Sequence, residues 1–302
     1  MRPSNLKTKI FLDSGDPNDT RKIINQLGFL DGQTTNPSLV TKNPKFIEIQ
    51  KKGGVCKAEE LLNEYRKLVV EISELIPGKS VSIEVSADLD TKAEEMVEQG
   101  LEMNKWIDNA HIKLPSTKEG IKAAIKLREE NVRVNMTLIF SQEQTAAIHK
   151  AINSELTGDV FVSPFIGRLD DIDLDGTDLV TNIQKMYKES NSNVEVLAAS
   201  IRDLEHFLYL IYSDVDIITT PMKILEEWAA NGLVIPDKND LDFKNENKYF
   251  KSRDLLKDNS LDIEYKNIDL TKDWTKIDIS HHLTDKGLTK FAEDWNKLIG
   301  KC

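Results

Sequence analysis

The stretch NAHIKLPST, residues 109–117, sets Lys113 between Ile112 and Leu114, just ahead of Pro115. A lysine amine attacks a carbonyl carbon only when unprotonated, and burial favours that form by penalising the ammonium. The iminium so formed is an electron sink for cleaving or making a carbon–carbon bond. Two plainer readings compete: a lysine snorkelling at a strand end, or a buried ion pair with Glu84 or Asp13. Schiff-base chemistry also needs proton-transfer groups, and Asp13, Glu84 and Thr137 offer them from three separate strand-like runs. One carboxylate would serve the substrate hydroxyl during cleavage. The other would handle water and the carbinolamine as the imine forms. Asp13 also reads as a turn acid or helix cap, because SGDPND follows at once. Glu84, alone between Ile83 and Val85, requires a partner. Arg168 in SPFIGRLDD and Arg202 in AASIRD are the anion-binding candidates, since a guanidinium matches phosphate geometry bidentately. Their plain reading is pairing with Asp170, Asp171 or Asp203.

These residues sit on runs that alternate with helix-like segments. The strand-like runs are 9–14, 32–36, 80–87, 111–115, 132–139, 159–164, 195–200 and 215–220. Helical sequence is expected over about 18–27 and through much of 44–76, and each later run is followed by a helix-like segment such as STKEGIKAAIKLREE. A strand–helix unit repeated eight times fits a closed (β/α)₈ barrel. An open doubly wound sheet is the alternative, but neither GxGxxG nor GxxxxGK[ST] is present. Strand side chains change face at every residue. That places Ser82, Glu84 and Ser86 opposite Val81, Ile83 and Val85. It places Arg133, Asn135 and Thr137 opposite Val132, Val134, Met136 and Leu138. Lys113 joins His111 and Pro115, Ser163 joins Phe161 and Phe165, Ser200 joins Arg202, and Asp13 joins Phe11. In a chain of β–α crossovers both sheet faces are covered, so these polar residues are expected to point into the barrel.

The unit rhythm stops near residue 231, giving a barrel core over about 9–230 within one 302-residue domain and an extension over 231–302 packed on it. Residues 237–280 read as surface loops and short elements. A last helix is expected from about Thr284, with Thr284 as its cap and Leu288, Phe291, Trp295 and Leu298 as its buried stripe.

With a net charge of −11 and no basic patch, neither nucleic acid nor an anionic membrane is an expected partner. The first residues carry no apolar leader and no eighteen-residue apolar run follows, so a soluble, cytoplasmic protein is expected. Cys56 and Cys302 make neither a disulfide framework nor a metal site. His281 and His282 are adjacent and lack ligand spacing with His111, His149 or His206, while DDIDLDGTD reads as an acidic loop, so no metal is expected.

LDSGD, DGQTTNPSL, VSIEVSA, IKLPSTKEG, VNMTLIFSQEQ, VSPFIGRLDD, LAASIRD and DIITTP together resemble the transaldolase family of class I, Schiff-base aldolases, in family order over about residues 9–225. The resemblance implies a (β/α)₈ barrel with its site at the C-terminal mouth and no dissociable cofactor. It implies Lys113 as the Schiff-base lysine, Asp13 as the acid–base group at the C4 hydroxyl, and Glu84 acting through a water with Thr137. Asn36 and Asn135 look like the ligands of donor-sugar hydroxyls, with Ser163 a further polar group. Arg168, Ser200 and Arg202 match the phosphate-binding set. Phe165, where fructose-6-phosphate aldolases typically carry tyrosine, and Glu84, where they tend to carry glutamine, favour transaldolase. The first motif departs from the Asp-Thr/Ser or Asp-Ala run that relatives often show, but its aspartate is intact. The implied reaction moves a dihydroxyacetone unit from sedoheptulose 7-phosphate or fructose 6-phosphate to an aldose phosphate. The alternatives are an aldolase releasing free dihydroxyacetone and a non-catalytic sugar-phosphate-binding barrel. Acceptor preference, the role of residues 231–302 and homo-oligomer formation are left open.

Overall fold

In the computed structural model, residues 1–44, 46–47, 57–152, 156–239, 244, 247 and 262–298 are described. Eight parallel strands close in chain order into a barrel. They are β1 (Lys9–Asp13), β2 (Gly32–Thr34), β3 (Ser80–Glu84), β4 (Ala110–Pro115), β5 (Val134–Ile139), β6 (Val160–Pro164), β7 (Glu195–Ala198) and β8 (Ile217–Thr220). The helices are α1 (Pro17–Leu27), α2 (Pro37–Val40), α3 (Ala58–Leu75), α4 (Ala93–Asn104), α5 (Lys118–Glu129), α6 (Gln142–Ile152), α7 (Ile166–Asp170), α8 (Gly176–Glu189), α9 (Leu204–Tyr212), α10 (Met222–Ala230) and α11 (His282–Leu298). The (β/α)₈ reading of the sequence therefore holds, with a C-terminal helix added. The expected helix over 18–27 is α1, extended by Pro17 at its first turn and capped by Asp16, whose side chain accepts from the Asn18 N–H. Asp13 is thus not the cap, and its carboxylate stays at the end of β1. Within the expected helical stretch 44–76, α3 begins at Ala58, and Cys56 and Cys302 lie outside the described residues.

Every residue of β4, β5 and β6 is buried, as strands covered on both faces require. The outward residues pack on helices: Ile112 lies close to Gly100 of α4. The inward face of the barrel's lower half is filled by Phe11, His111 and Phe161. The His111 and Phe161 rings stack 4.2 Å apart, and the Phe11 and Phe161 rings meet edge to face at 6.2 Å. His111 contacts Ser80 Oγ through Nδ1 and the Gly158 carbonyl through Nε2, both at 2.8 Å. Burial pushes its pKa down to about 3, so this histidine is neutral packing beneath the mouth.

Two expectations need correction. Leu138 does not continue the apolar alternation of β5. Its φ is +58°, and the register with β6 shifts between Met136 and Ile139. Nor does Thr284 cap the last helix. α11 starts two residues earlier, where His281 Nδ1 accepts from the Leu283 N–H at 3.2 Å. Thr284 instead donates its hydroxyl to the Leu138 carbonyl at 2.9 Å and accepts from Gln144 Nε2 at 2.8 Å. The positive-φ residue of β5 is thereby fastened to α11, which supplies an acceptor-seeking hydroxyl for a carbonyl turned out of the sheet. Leu288, Phe291 and Trp295 are buried as expected, while the Leu298 side chain lies outside the described residues. Between 231 and 280 the described part includes a short 3₁₀ turn, Trp274–Lys276, and a helical position at Lys244.

Candidate active site

The C-terminal ends of the strands surround a cavity of about 280 Å³. Lys113, at 3% exposure, lines it from β4. Its Nζ lies 3.0 Å from Glu84 Oε2, and the Glu84 side chain is equally buried. The pairing follows from register, because Glu84 of β3 sits directly beside Lys113 of β4. Lys113 Nζ also faces the Thr35 carbonyl at 3.5 Å and lies 5.8 Å from the centre of the Phe165 ring. The ion-pair reading of the sequence is thus met in this structure, and it puts the amine and a carboxylate in one dry compartment.

Asp13 borders the same cavity from β1. Its Oδ1 accepts from Thr34 Oγ1 at 2.7 Å, and the Thr34 and Thr219 hydroxyls are 2.6 Å apart. Burial raises the Asp13 carboxyl above its usual range, against the opposing pull of Lys113 and the Thr34 hydrogen bond. Burial likewise raises Glu84, with Lys113 opposing. Both groups are therefore shifted toward the pH range in which a carboxylate exchanges protons readily.

Of the other expected site residues, Asn36, Ser163, Phe165, Arg168, Ser200 and Arg202 line the cavity. Asn36 also caps α2, its side chain accepting from the Leu39 N–H at 3.0 Å. Asn135 and Thr137 lie behind the cavity wall. Asn135 accepts from Ser163 Oγ at 2.7 Å and donates to Ser82 Oγ at 3.0 Å. Thr137 is fully buried, with no hydrogen-bond partner for its hydroxyl among the described residues.

The two arginines differ. Arg202 donates to the Gly167 carbonyl at 3.0 Å and contacts Asp171, so the plain acid-pairing reading holds for it. Gly167 permits this approach, since a Cβ there would lie 2.1 Å from the Ser200 carbonyl oxygen. Ser200 itself has φ +65°, which turns it away from the strand path and into the mouth. Arg168 has no carboxylate within ion-pair distance among the described residues. Its guanidinium carbon lies 5.2 Å from the Phe165 ring and 5.6 Å from the Phe291 ring. Burial, then the neighbouring Arg202, lowers its pKa from the usual value.

Residue type and parity did not single out Thr34, Thr219, Lys42, Ser38 or Phe291 for this site. Thr34 and Thr219 were detectable in principle, because their register places them beside Asp13 and Phe11. Phe291 reads from sequence as packing, yet it also lines the cavity. A larger cavity of about 920 Å³ lies at the opposite end of the barrel, beside α8 and the start of β7, and contains none of the expected site residues. Among the described residues no group of three or more His, Cys, Asp or Glu side chains is placed to hold a metal, and no helix is long and apolar enough to cross a membrane.

The family model described as Transaldolase/Fructose-6-phosphate aldolase matches residues 10–302. The chain belongs to that family. Curated relatives include a probable transaldolase of Dehalococcoides mccartyi, 37% identical over 225 residues that cover 74% of this chain and 92% of that protein. A probable transaldolase of Thermoplasma volcanium is 31% identical over 290 residues, covering 96% of each chain. Membership makes the chain an enzyme of transaldolase type acting on phosphosugars. Its barrel mouth carries an amine, two carboxylates with raised pKa values and two guanidiniums, a set suited to that class of chemistry.

Proposed function

We propose that the protein is a transaldolase that moves a dihydroxyacetone unit from sedoheptulose 7-phosphate or fructose 6-phosphate to an aldose phosphate, with Lys113 as the Schiff-base residue. The observation that carries this reading is the Lys113–Glu84 contact of 3.0 Å at the floor of a cavity that also holds Asp13, Arg168 and Arg202. Lys113 Nζ adds to the ketose C2 carbonyl, and loss of water leaves the iminium. Glu84 carries protons for that dehydration through a water held with Thr137, whose buried hydroxyl has no hydrogen-bond partner among the described residues. Asp13 then takes the C4 hydroxyl proton. The C3–C4 bond breaks, its electron pair moves into the iminium to give the enamine, and the first aldehyde departs. The enamine C3 attacks the second aldehyde, Asp13 returns the proton to the new alkoxide, and hydrolysis frees Lys113. Asn36, Asn135 and Ser163 hold the donor hydroxyls, Asn135 acting with Ser163 through their 2.7 Å hydrogen bond. Arg168, Ser200 and Arg202 hold the phosphate.

Phe165 and Glu84 favour transfer over release of free dihydroxyacetone. A phenyl ring 5.8 Å from the amine offers no hydroxyl to hold the water that would protonate the enamine at C3 and then hydrolyse the resulting iminium at C2. The test is borohydride reduction in the presence of fructose 6-phosphate, followed by mapping of the adduct. Modification at Lys113 is expected, and an unmodified Lys113 under turnover conditions refutes the assignment. Fructose 6-phosphate consumption with and without erythrose 4-phosphate then separates transferase from aldolase.

A further inference from the structure

Beyond the Lys113 cavity lies a second one of about 530 Å³, between the α7 region and α11. Arg168 and Arg202 line both. The outer cavity adds Lys286 and Lys290 from α11, with Asp171 and Glu293 as its acids. Four cations thus face two acids in a chain whose net charge is −11. The charges are not equally engaged. Asp171 contacts Arg202, and Lys290 contacts Asp294, which lies off the cavity wall. Among the described residues Lys286 has no ion pair or hydrogen bond, and Arg168 has no carboxylate within ion-pair distance.

Arg168 is the partition between the two compartments. Its guanidinium passes the Phe165 ring on the inner side and the Phe291 ring on the α11 side. Its Nη1 reaches so close to α11 that a Cβ at Gly287 would come within 2.7 Å of it. A guanidinium has five N–H donors arranged in a plane, so edges turned to opposite sides can serve two acceptors in turn.

We propose that the outer cavity is a second anion site, which takes the phosphoryl group of a sugar phosphate before that group reaches the inner cavity. Lys286 and the outward edge of Arg168 are its principal donors. This rests on the reading of the inner cavity as the place of carbon–carbon bond chemistry on a phosphorylated sugar. A dianionic group approaching an acidic protein is repelled over most of its surface, and a local cluster of cations at the mouth reverses that field where entry occurs. The arginines then pass the group inward without an interval in which it lacks a cation.

The site is tested by calorimetric titration at low ionic strength, with sorbitol 6-phosphate and with inorganic phosphate as probes. Sorbitol 6-phosphate has no carbonyl and forms no imine, so it reads phosphoryl binding apart from Lys113. Lys286→Met is expected to weaken sorbitol 6-phosphate about threefold and Lys286→Glu about tenfold, as befits an exposed charge. Lys286→Arg retains near wild-type affinity. Lys297→Met, which removes the same charge from α11 outside the cavity, shifts affinity less than twofold. Equal effects of the Lys286 and Lys297 changes overturn the proposal, as does unchanged affinity in Lys286→Glu. A response of inorganic phosphate alone overturns the sugar phosphate as occupant. Borohydride trapping of the wild-type protein reads the Lys113 assignment independently, so failure of one is distinguished from failure of the other.

Discussion

Replacing Lys113 by Met leaves Glu84 buried without its cation, and the cost of that change depends on pH in a way the structure fixes. Methionine keeps the length of the side chain, so the packing loss is small and independent of pH. The charge effect has a ceiling, because Glu84 can take up a proton rather than stay ionised. From an ordinary carboxyl value of 4.5, neutralisation at pH 7 costs about 3.4 kcal/mol, and at pH 5 about 0.7 kcal/mol, at 1.36 kcal/mol per unit. Below these ceilings the native state of the variant binds a proton that the unfolded state lacks. Its stability therefore falls as pH rises through that window. In the wild type the ammonium 3.0 Å away opposes this uptake. Glu84 of the wild type is itself raised by burial and shares part of this dependence, so the stability gap between wild type and Lys113→Met should widen between pH 5 and pH 7 by less than the ceiling of about 2.7 kcal/mol, on the order of 1–2 kcal/mol.

The measurement is urea unfolding of both proteins at pH 5, 6 and 7. Glu84→Gln in the Lys113→Met background removes the carboxyl and should flatten most of the dependence. Any slope left belongs to Asp13, which loses the same neighbouring ammonium. A gap that stays constant within about 0.5 kcal/mol across this range would show that the two groups do not share charge, and the geometry would then have no electrostatic meaning.

Asp13→Asn should still form the reduced adduct at Lys113 but lose about 10²- to 10⁴-fold in cleavage rate, as removal of a general base does. Wild-type kcat/KM should fall with acid at a pH above the ordinary aspartate value of 3.8, because burial raises Asp13 and the base must be ionised; rates flat through that region refute the role. Phe165→Tyr should raise the ratio of dihydroxyacetone released to dihydroxyacetone transferred, and an unchanged ratio removes Phe165 from that function. Gly287→Ala sets a Cβ 2.7 Å from both Arg168 Nη1 and Leu138 Cδ2, the latter fully buried. Overpacking against Leu138, on the order of 1–3 kcal/mol, should outweigh the gain of about 1 kcal/mol from alanine in a helix interior, so thermal stability should hold or fall slightly. Affinity for sorbitol 6-phosphate should drop severalfold as the guanidinium is displaced.

The sequence carries the barrel in its alternation of eight short runs, and it carries Lys113, Glu84, Asn135 and Ser163 in their parity. These signals are local: one residue's position fixes which face its side chain takes, and neighbouring strands in register do the rest. What stayed hidden depends on breaks in that rule or on distant contacts. Leu138 leaves the strand path through a positive φ that no residue-type pattern marks. Thr284 has the residue type of a cap, but its hydroxyl goes to β5. Thr34 meets Asp13 through the β1–β2 register, but the Thr219 hydroxyl reaches Thr34 only because barrel closure brings β8 beside β1. Arg202 proved to have an acidic neighbour as well as a place at the cavity, and nothing in AASIRD separates those roles.

The clearest division of labour lies between the barrel and α11. Every residue with a proposed role in bond cleavage comes from β1, β3, β4 or β5, whereas α11 packs across the mouth against β5 and α2. What α11 adds here is therefore sought away from the amine. Helical spacing shows where. Gly287 and Phe291, four apart, meet Arg168, and Lys286 and Lys290, one step around the helix, line the outer cavity. Trp295 continues the contact to the Tyr65 ring at 5.9 Å, and the Tyr65 hydroxyl accepts from the Glu84 N–H at 3.1 Å. One helix therefore sets the arginine at the phosphoryl end and braces the strand that holds Glu84, so loss of α11 should lower phosphosugar affinity before it abolishes imine formation at Lys113.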